Sequence, residues 1–387
     1  MGKKKKLALI ISLNDKHNYP IRTVYTTKVL NAHGYDVKVV SSDFDHQKKE
    51  RYKDGRKNLI QIPMIQYSKN LSARRIISLI DFSYRAVRLA TQMHPDLIYV
   101  SGPPNTQYKV FADYKKKHPE IVLLAEVGDV WPESLPLQGK IKKVLYIPMK
   151  IWGNLRNRYI GDFDFVITEC DLFAKMLKPF VKKDRLQTLY FCKPDISLEE
   201  NDILLDDDMI ALAYVGSINN IIDIDSICKM TSAINKNKKV VFHLIGAGEK
   251  KDALCDQLKK LGIELHDHGA LYDVREKQKI LQKCNYAFNV MKSSVCVGMT
   301  MKSLDYFQFG VPVLNNIEGD TWEIVEHEQI GFNFKENDLE EVAKKIAMQA
   351  DEQWNQMHMN TKIVFAERFS QQAFEKNFAN ILDRVEG

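Results

Sequence analysis

The apolar positions along the chain form short runs that alternate with amphipathic segments. "KLALIISL", "DVKVVSS" and "PDLIYVSGPP" are continuous apolar runs of strand length, and Thr23 to His33 has helical spacing that ends at Gly34. The alternation continues through "IVLLAEVGD" and "DFVITEC". Because strands buried on both faces are continuously apolar, the pattern predicts a parallel, doubly wound α/β sheet.

The acid-rich stretch "FCKPDISLEENDILLDDD" interrupts the alternation and shows no period. Strand-like runs resume with "MIALAYVGS", "KVVFHLIGAG" and "YAFNVM". The chain is therefore predicted to contain two Rossmann-like, doubly wound α/β domains, at 1–190 and 209–360, joined by a linker at 191–208. Ligands of such sheets bind beyond the carboxyl ends of the strands, so we expect a cleft between the domains.

Composition is typical of a globular protein with more than one domain. Of the 387 residues, 45% are hydrophobic and 27% charged, and the net charge of +6 suits an anionic ligand or surface without requiring one. No apolar run reaches the roughly 18 residues of a membrane-spanning helix, and nothing resembles a nucleic-acid-binding module. The six cysteines lack C-x-x-C spacing, which favours reduced thiols and no metal site.

The start of the chain, "MGKKKKLALIISLNDK", combines lysines with a short apolar run from Leu7 to Leu13. A secretory signal would continue to a small-residue cleavage site, which does not follow here. A myristoylation signal would need Ser or Thr in place of Lys6. We interpret the run as a buried first strand and expect a cytoplasmic protein.

Two predicted strands of the second domain end in glycine, in "VGS" at 215–217 and "IGAG" at 245–248. Glycine lets the backbone approach a phosphate, and the N–H groups of a following helix can bind it. Ordinary turn chemistry explains either motif alone at least as well. Gly246-x-Gly248 also lacks the third glycine of a dinucleotide fingerprint.

The stretch "TMKSLDYFQFGVPVLNN" at 300–316 places a cation where a helix is least suited to one. With Thr300 as N-cap and Gly310 at the end, Lys302 lies in the first turn, near the positive end of the macrodipole. A diphosphate beside this turn would explain the lysine, and Asp305 would then bind a sugar or ribose hydroxyl. An exposed Lys302–Asp305 pair on an amphipathic helix is the alternative.

These stretches together resemble a known family. "AYVGSINNIIDIDSI", "VVFHLIGAGEKKDAL", "LHDHGALYDVREKQKILQKCNYAFNVM" and "MKSLDYFQFGVPVL" are similar to the nucleotide-sugar-binding half of GT-B glycosyltransferases of the family-four group. "SGPP" at 101–104, "EVGDVWPESL" at 126–135 and "YPIRTVYTTKVLNAHGYDVKVVSS" resemble the fucosaminyl-transferase-like branch of bacterial surface polysaccharide synthesis. The resemblance spans nearly the whole chain.

The resemblance implies a retaining transferase of hexosyl or N-acetylhexosaminyl groups. It implies a UDP- or GDP-sugar as donor, no required cofactor or metal, and a lipid-linked glycan acceptor in capsule, O-antigen or exopolysaccharide synthesis. It also implies that the segment 361–387 forms a helix that returns to the amino-terminal domain.

The resemblance implies three sets of site residues, of which the donor-binding set includes the glycine loops. The catalytic set is Lys302, Asp129, Glu133 and His17. The donor-binding set is Gly216, Ser217, Gly246, Gly248, Glu249, Leu271, Tyr272, Thr300, Lys302 and Asp305. The acceptor-binding set is Arg22, Gly102 and Pro103.

The chain departs from the family pattern at several of these positions. Many members carry two glutamates eight residues apart, and here the second is Asp305 and the first is Val297. After the "VG" loop many members have an arginine and, five residues later, a lysine, where this chain has Ser217 and Ile222. Lys302 is therefore the clearest cation for a departing diphosphate.

Residues 139–160, "GKIKKVLYIPMKIWGNLRNRYI", mix basic and apolar side chains. Basic amphipathic helices lie in anionic membrane interfaces. Packing of the apolar side on the domain is the alternative, and Pro148 and Gly153 interrupt the pattern. The resemblance favours contact with the inner-membrane surface on its cytoplasmic face, because many relatives elongate lipid-linked acceptors.

Two other functions remain open. A non-catalytic GT-B subunit that binds a sugar or a partner glycosyltransferase is motivated by Ser217, Ile222 and Val297, and it predicts weak or absent nucleotide binding. A nucleotide-sugar epimerase predicts isomerised sugar without an acceptor. "SGPP" and "DVWPES" favour transfer over both.

Overall fold

The computed structural model describes residues 5–16, 22–135, 143–196 and 208–387, and the chain divides into two units. The first unit contains the chain up to Phe191 together with Phe374–Gly387, and the second contains Cys192–Ala373. Each unit is built around its own parallel sheet.

The sheet of the first unit has the strand order β5-β2-β1-β6-β7-β8-β9. The elements of this unit are β1 (Lys6–Ser12), α1 (Arg22–Ala32), β2 (Tyr35–Ser42), β3 (Phe44–Asp45), β4 (Glu50–Arg51), β5 (Leu59–Ile62), α2 (Ala73–Met93), β6 (Leu97–Gly102), α3 (Asn105–Lys117), β7 (Val122–Val127), α4 (Tyr146–Tyr159), a 3₁₀ turn (Ile160–Asp162), β8 (Phe165–Thr168), α5 (Asp171–Leu177), a second 3₁₀ turn (Lys183–Arg185) and β9 (Leu186–Thr188). β3 and β4 form a small antiparallel hairpin. Strand order reverses between β1 and β6, which makes their carboxyl ends the expected ligand position.

The elements of the second unit are β10 (Met209–Val215), α6 (Ile224–Asn235), β11 (Lys239–Ile245), α7 (Lys251–Lys260), β12 (Glu264–Asp267), α8 (Val274–Leu281), β13 (Tyr286–Asn289), α9 (Met301–Gln308), β14 (Val313–Asn315), α10 (Asp320–Glu328), β15 (Gly331–Asn333), α11 (Leu339–Ala347), α12 (Asp351–Val364) and a π-helical turn (Phe365–Phe369). The last helix, α13 (Gln371–Glu386), begins in this unit and continues in the first. The sheet of the second unit has the order β12-β11-β10-β13-β14-β15. Strand order reverses between β10 and β13. The predicted fold class, α/β with two doubly wound Rossmann-like domains, is confirmed.

The carboxyl-terminal segment divides between the units, since α13 enters the first unit only at Phe374. Phe369 is fully buried, and its ring centroid lies 5.4 Å from that of Phe307 in α9. This packing explains why residues 361–373 belong to the second unit. The return predicted for 361–387 stays a prediction, and residues 374–387 of that segment belong to the first unit.

Candidate functional site

A tyrosine joins the two central strands of the second sheet where they separate. β10 and β13 pair at only two positions. Beyond them, the Tyr306 hydroxyl accepts from Val215 N at 2.9 Å and donates to Phe288 O at 3.1 Å. This link fixes α9 at the point where strand order reverses. Sequence analysis misses it, because Tyr306 looks like any core aromatic.

The two glycine loops of the second unit run side by side. Gly216 N donates to Ile245 O and Ile218 N donates to Ala247 O, each at 2.9 Å. A Cβ on Gly246 would lie 2.1 Å from the Gly216 carbonyl oxygen. The close approach therefore requires glycine, so the turn interpretation is satisfied whether or not a phosphate binds there.

The loop after β11 also needs glycine at its end. Gly248 has φ +147°, and a Cβ there would lie 2.3 Å from Ile218 O. The loops leave Ser217 and Glu249 exposed. Both predicted donor-binding side chains are thus accessible at the carboxyl ends of β10 and β11.

Lys302 lies between the carboxyl ends of β10 and β13. Its Nζ is 3.4 Å from both Val290 O and Tyr214 Oη, and 4.7 Å from the Tyr214 ring centroid. Burial lowers the pKa of Lys302 to about 7. Within the described ranges, no carboxylate forms an ion pair with this lysine. When it is protonated, the Lys302 ammonium group therefore has no acidic partner among the described residues.

The start of α9 is fixed by a row of buried polar groups. Thr300 is the N-cap, as predicted, and its side chain accepts from Ser303 N at 3.2 Å. The Thr300 hydroxyl donates to Asn289 Oδ1 at 2.7 Å. Asn289 in turn donates to Asn315 at 3.0 Å, and Asn315 to Asn333 at 2.7 Å. This amide row crosses β13, β14 and β15, and no local sequence pattern indicates it because its members are far apart in the chain.

Asp305 is buried between two lysines from distant parts of the chain. Its Oδ1 lies 2.8 Å from Lys193 Nζ, and its Oδ2 lies 3.4 Å from Lys277 Nζ. The alternative of an exposed Lys302–Asp305 pair is therefore wrong. Binding of a ribose hydroxyl by Asp305 stays a prediction. The carboxylate oxygens that would accept from the hydroxyl already contact these two ammonium groups.

The segment after β12 presents an aromatic ring to solvent. Tyr272 is 88% exposed, and Leu271 is partly exposed. Gly246 N donates to Gly269 O at 2.7 Å, which holds the segment next to the glycine loops. An exposed ring in this position is available to stack on a planar base.

In the first unit, Asp129 begins the turn that follows β7. Its carboxylate accepts from Trp131 Nε1 at 2.7 Å and from the Ser134 hydroxyl. Burial raises the pKa of Asp129, although these two donors and the Arg156 charge act in the opposite direction. A carboxyl group with a raised pKa in an oriented turn is a candidate for proton transfer.

Glu133 in the same turn is held by a buried arginine. Arg156 donates to the two Glu133 carboxylate oxygens at 2.8 and 3.1 Å and to Trp131 O at 3.0 Å. Asn105 Nδ2 also donates to Trp131 O, at 2.8 Å. The turn "DVWPES" is therefore anchored on α3 and α4, which supports the packing interpretation for Trp131. Sequence analysis counted Arg156 only among the basic residues of 139–160.

Arg22, predicted to bind the acceptor, lies inside the first unit. Its Nε is 2.5 Å from a carboxylate oxygen of Glu126, and both side chains are almost fully buried. The guanidinium carbon lies 5.3 Å from the ring centroid of Phe191 and 5.2 Å from that of Phe374. These surroundings favour a structural role, so acceptor binding by Arg22 stays a prediction.

The loops after β6 and β7 are adjacent. Gly128 N donates to Gly102 O at 3.2 Å, and a Cβ on Gly102 would lie 2.0 Å from the Tyr108 hydroxyl. Gly102 and the partly exposed Pro103 thus come close to the turn that carries Asp129. His17 lies outside the described residues.

Residues 143–151, which extend into the first turns of α4, expose apolar side chains beside lysines. The exposed fractions are 77% for Val144, 60% for Tyr146, 69% for Ile147 and 66% for Ile151. Lys143 and Lys150 are exposed as well. The alternative that this apolar side packs on the domain is therefore wrong for these residues, whereas Gly153 and Arg156 in the second half of α4 are buried.

Two kinds of structural feature are absent from the described residues. No helix among them is both long and apolar enough to cross a membrane. No group of three or more His, Cys, Asp or Glu side chains in the described ranges is arranged to hold a metal ion.

The fold and the polar groups at its strand ends define a GT-B architecture. Residues 210–351 match the family model described as "Glycosyl transferases group 1". The matched residues lie within the second unit. No curated protein matches the chain significantly.

Solved structures share the fold over nearly the whole chain. HepE of Anabaena in complex with UDP and glucose is 13% identical, with a TM-score of 0.63, 98% of this chain covered and 100% of that chain. Sucrose-phosphate synthase of Thermosynechococcus elongatus is 12% identical, with a TM-score of 0.70 and coverages of 98% and 99%. WaaG, a glycosyltransferase involved in lipopolysaccharide biosynthesis, is 13% identical, with a TM-score of 0.66 and coverages of 97% and 99%. At such identities the likeness establishes the fold alone.

Proposed function

We propose that the protein is a retaining glycosyltransferase that moves a hexosyl or N-acetylhexosaminyl group from a UDP- or GDP-sugar to a lipid-linked glycan. The observation that carries the proposal is Lys302, a partly buried lysine with which no carboxylate of the described residues forms an ion pair, at the strand-order reversal of the unit that matches the group 1 glycosyltransferase model. A departing diphosphate supplies the missing negative charge.

The chemistry follows from where charge develops. Transfer breaks the bond between the sugar and the β-phosphate, and the leaving diphosphate must be stabilised as the bond lengthens. Lys302 supplies positive charge, and the first turn of α9 supplies N–H groups and the positive end of the helix dipole. The glycine loops allow the backbone to approach the phosphates. Bound UDP in the structure of HepE supports this use of the fold.

The residues of the first unit are proposed to act on the sugar and the acceptor. Asp129 has a raised pKa and is oriented by two hydrogen-bond donors. These properties suit a group that takes the proton from the attacking hydroxyl of the acceptor. Glu133 is proposed to position the turn through Arg156. Retention of configuration, the fucosaminyl-transferase-like branch and a place in capsule, O-antigen or exopolysaccharide synthesis are supported by the sequence resemblance.

Contact with a membrane surface is proposed for residues 143–151, which extend into the first turns of α4. Four apolar side chains that are 60–77% exposed beside Lys143 and Lys150 would lie in the headgroup region of an anionic bilayer. This contact would bring a lipid-linked acceptor to a protein on the cytoplasmic face.

Calorimetric titration with UDP and GDP tests the proposal. One of the two nucleotides is expected to bind the wild type, and Lys302→Ala is expected to weaken binding at least about tenfold, the scale of one lost charge-assisted contact. Lys279→Ala, which removes an exposed lysine of α8, is the matched control. If neither nucleotide binds at millimolar concentration, the proposal is refuted, and the non-catalytic subunit becomes the better description.

A further inference from the structure

The first unit contains a pocket that no part of the proposed mechanism uses. Its volume is about 600 Å³, and it is lined by Lys16, Asp45, Lys48, Glu50 and residues 52–56. Lys16 follows β1 and Asp45 follows β2, so the pocket lies beside the carboxyl ends of two adjacent parallel strands. In open α/β sheets this edge is where ligands bind.

The walls of the pocket are fixed by buried polar contacts. Asp45 Oδ1 accepts from Gln47 N at 2.7 Å and from Lys48 N at 2.9 Å. The Gln61 side chain accepts from Asp54 N at 2.9 Å and donates to Tyr52 O at 3.2 Å. The loop from β3 to β5 therefore has a defined shape before any ligand arrives, which reduces the entropic cost of binding.

A buried aspartate positions two of the wall residues. Asp15 is 1% exposed; its carbonyl oxygen accepts from Tyr52 Oη at 3.1 Å, and its Oδ1 accepts from Arg56 Nη1 at 2.7 Å. Its Oδ2 has no hydrogen-bond partner among the described residues. Burial raises the pKa of Tyr52 to about 12, with Asp54 and Asp15 adding to the effect, so its hydroxyl remains a donor.

The pocket carries charges of both signs, and two of its cations are paired with carboxylates. Lys16 Nζ lies 2.6 Å from Asp45 Oδ2, and Arg56 Nη2 lies 3.0 Å from Asp54 Oδ2. An anion would have to displace these carboxylates from their cations. A hydroxyl group does not, because it donates to a carboxylate and accepts from an ammonium or guanidinium at the same time.

We propose that this pocket binds a pyranose ring of the acceptor glycan through its hydroxyl groups. The lining combines donors (Lys16, Lys53, Arg56) with acceptors (Asp45, Glu50), as a ring with several hydroxyl groups requires, and the partly exposed Tyr52 ring adds an apolar surface. The assignment of this sugar to the acceptor rests on the proposed function, whereas the binding of a pyranose does not.

Saturation-transfer NMR on the full chain tests the proposal. The probes are the methyl pyranosides of glucose, galactose, N-acetylglucosamine and glucuronic acid, together with inorganic phosphate as a competitor. The double variant Glu50→Gln/Lys53→Gln alters two exposed lining residues, and Lys57→Gln, exposed and outside the lining, is the matched control.

At least one pyranoside is expected to receive saturation from the wild type and from Lys57→Gln, with a loss of more than about half in the double variant, because two of its hydrogen-bonding groups change. The proposal is overturned if no pyranoside receives saturation, if the double variant transfers it undiminished, or if phosphate abolishes it by competition. Nucleotide titration on the same samples separates the two ideas. Pyranoside binding without UDP or GDP binding refutes the proposed function alone, and the converse refutes the pocket alone.

Discussion

Binding of a nucleoside diphosphate is expected to weaken steeply as the pH rises above neutrality. In the free protein, burial lowers the pKa of Lys302 from 10.5 to about 7, so the side chain loses its proton near pH 7. At about 1.4 kcal/mol for each pKa unit, this lowering of the Lys302 pKa corresponds to a desolvation cost of at most about 5 kcal/mol for the charged side chain at low pH. A bound diphosphate favours the ammonium form and raises the pKa again, so binding takes up a proton.

The direction and the size of the change in affinity with pH follow from this coupling between nucleotide binding and protonation of Lys302. Below pH 7 the lysine is already charged and affinity is nearly constant, apart from the ionisation of the terminal phosphate near about pH 6. Above pH 7 the charged fraction falls about tenfold per pH unit, so affinity is expected to fall roughly 50-fold between pH 7 and pH 9.

Calorimetry at pH 7, 8 and 9 in two buffers of different ionisation enthalpy measures both the affinity and the proton uptake. Lys279→Ala should keep the full pH dependence, whereas Lys302→Arg should flatten it because a guanidinium stays charged. A wild-type affinity that is constant over this range, with no proton uptake, would refute the placement of the diphosphate on Lys302.

Three further predictions concern stability. Gly248→Ala is expected to unfold or strongly destabilise the second unit, because the added Cβ would lie 2.3 Å from a carbonyl oxygen. In the control variant Gly262→Ala the Cβ meets no neighbour within 4 Å, so its positive φ should cost only about 1 kcal/mol. Thermal melts compare the stability of the two variants. Tyr306→Phe removes the hydroxyl that joins β10 to β13 and should lower the free energy of unfolding by about 1–3 kcal/mol in urea titrations. Burial alone would raise the pKa of Asp45, but Lys16 and two backbone N–H groups lower it from 3.8 to about 2. The ionised carboxylate therefore stabilises the fold by about 2 kcal/mol above pH 3.8, and this stabilisation is lost as the pH falls through 2. Asp45→Asn should abolish this dependence of stability on pH in denaturant titrations at pH 2 to 5.

Local features of the sequence determined the class of fold and the ends of many elements. Buried parallel strands need continuous apolar runs and helices need caps, so the strand–helix alternation, the Thr300 cap and the glycine turns could all be predicted from neighbouring residues. The position of Lys302 in a first turn was visible for the same reason, since a helix start depends on a few adjacent residues.

Tertiary structure alone decided which distant residues meet. Asp305 finds Lys193 and Lys277, Glu133 finds Arg156, and Tyr306 joins two strands, and no local pattern links these partners. The lowered pKa of Lys302 likewise depends on desolvation by the strands around it, which only the packed fold creates. Sequence specifies which groups are present, and the folded chain sets the distances and the burial that give those groups their chemistry.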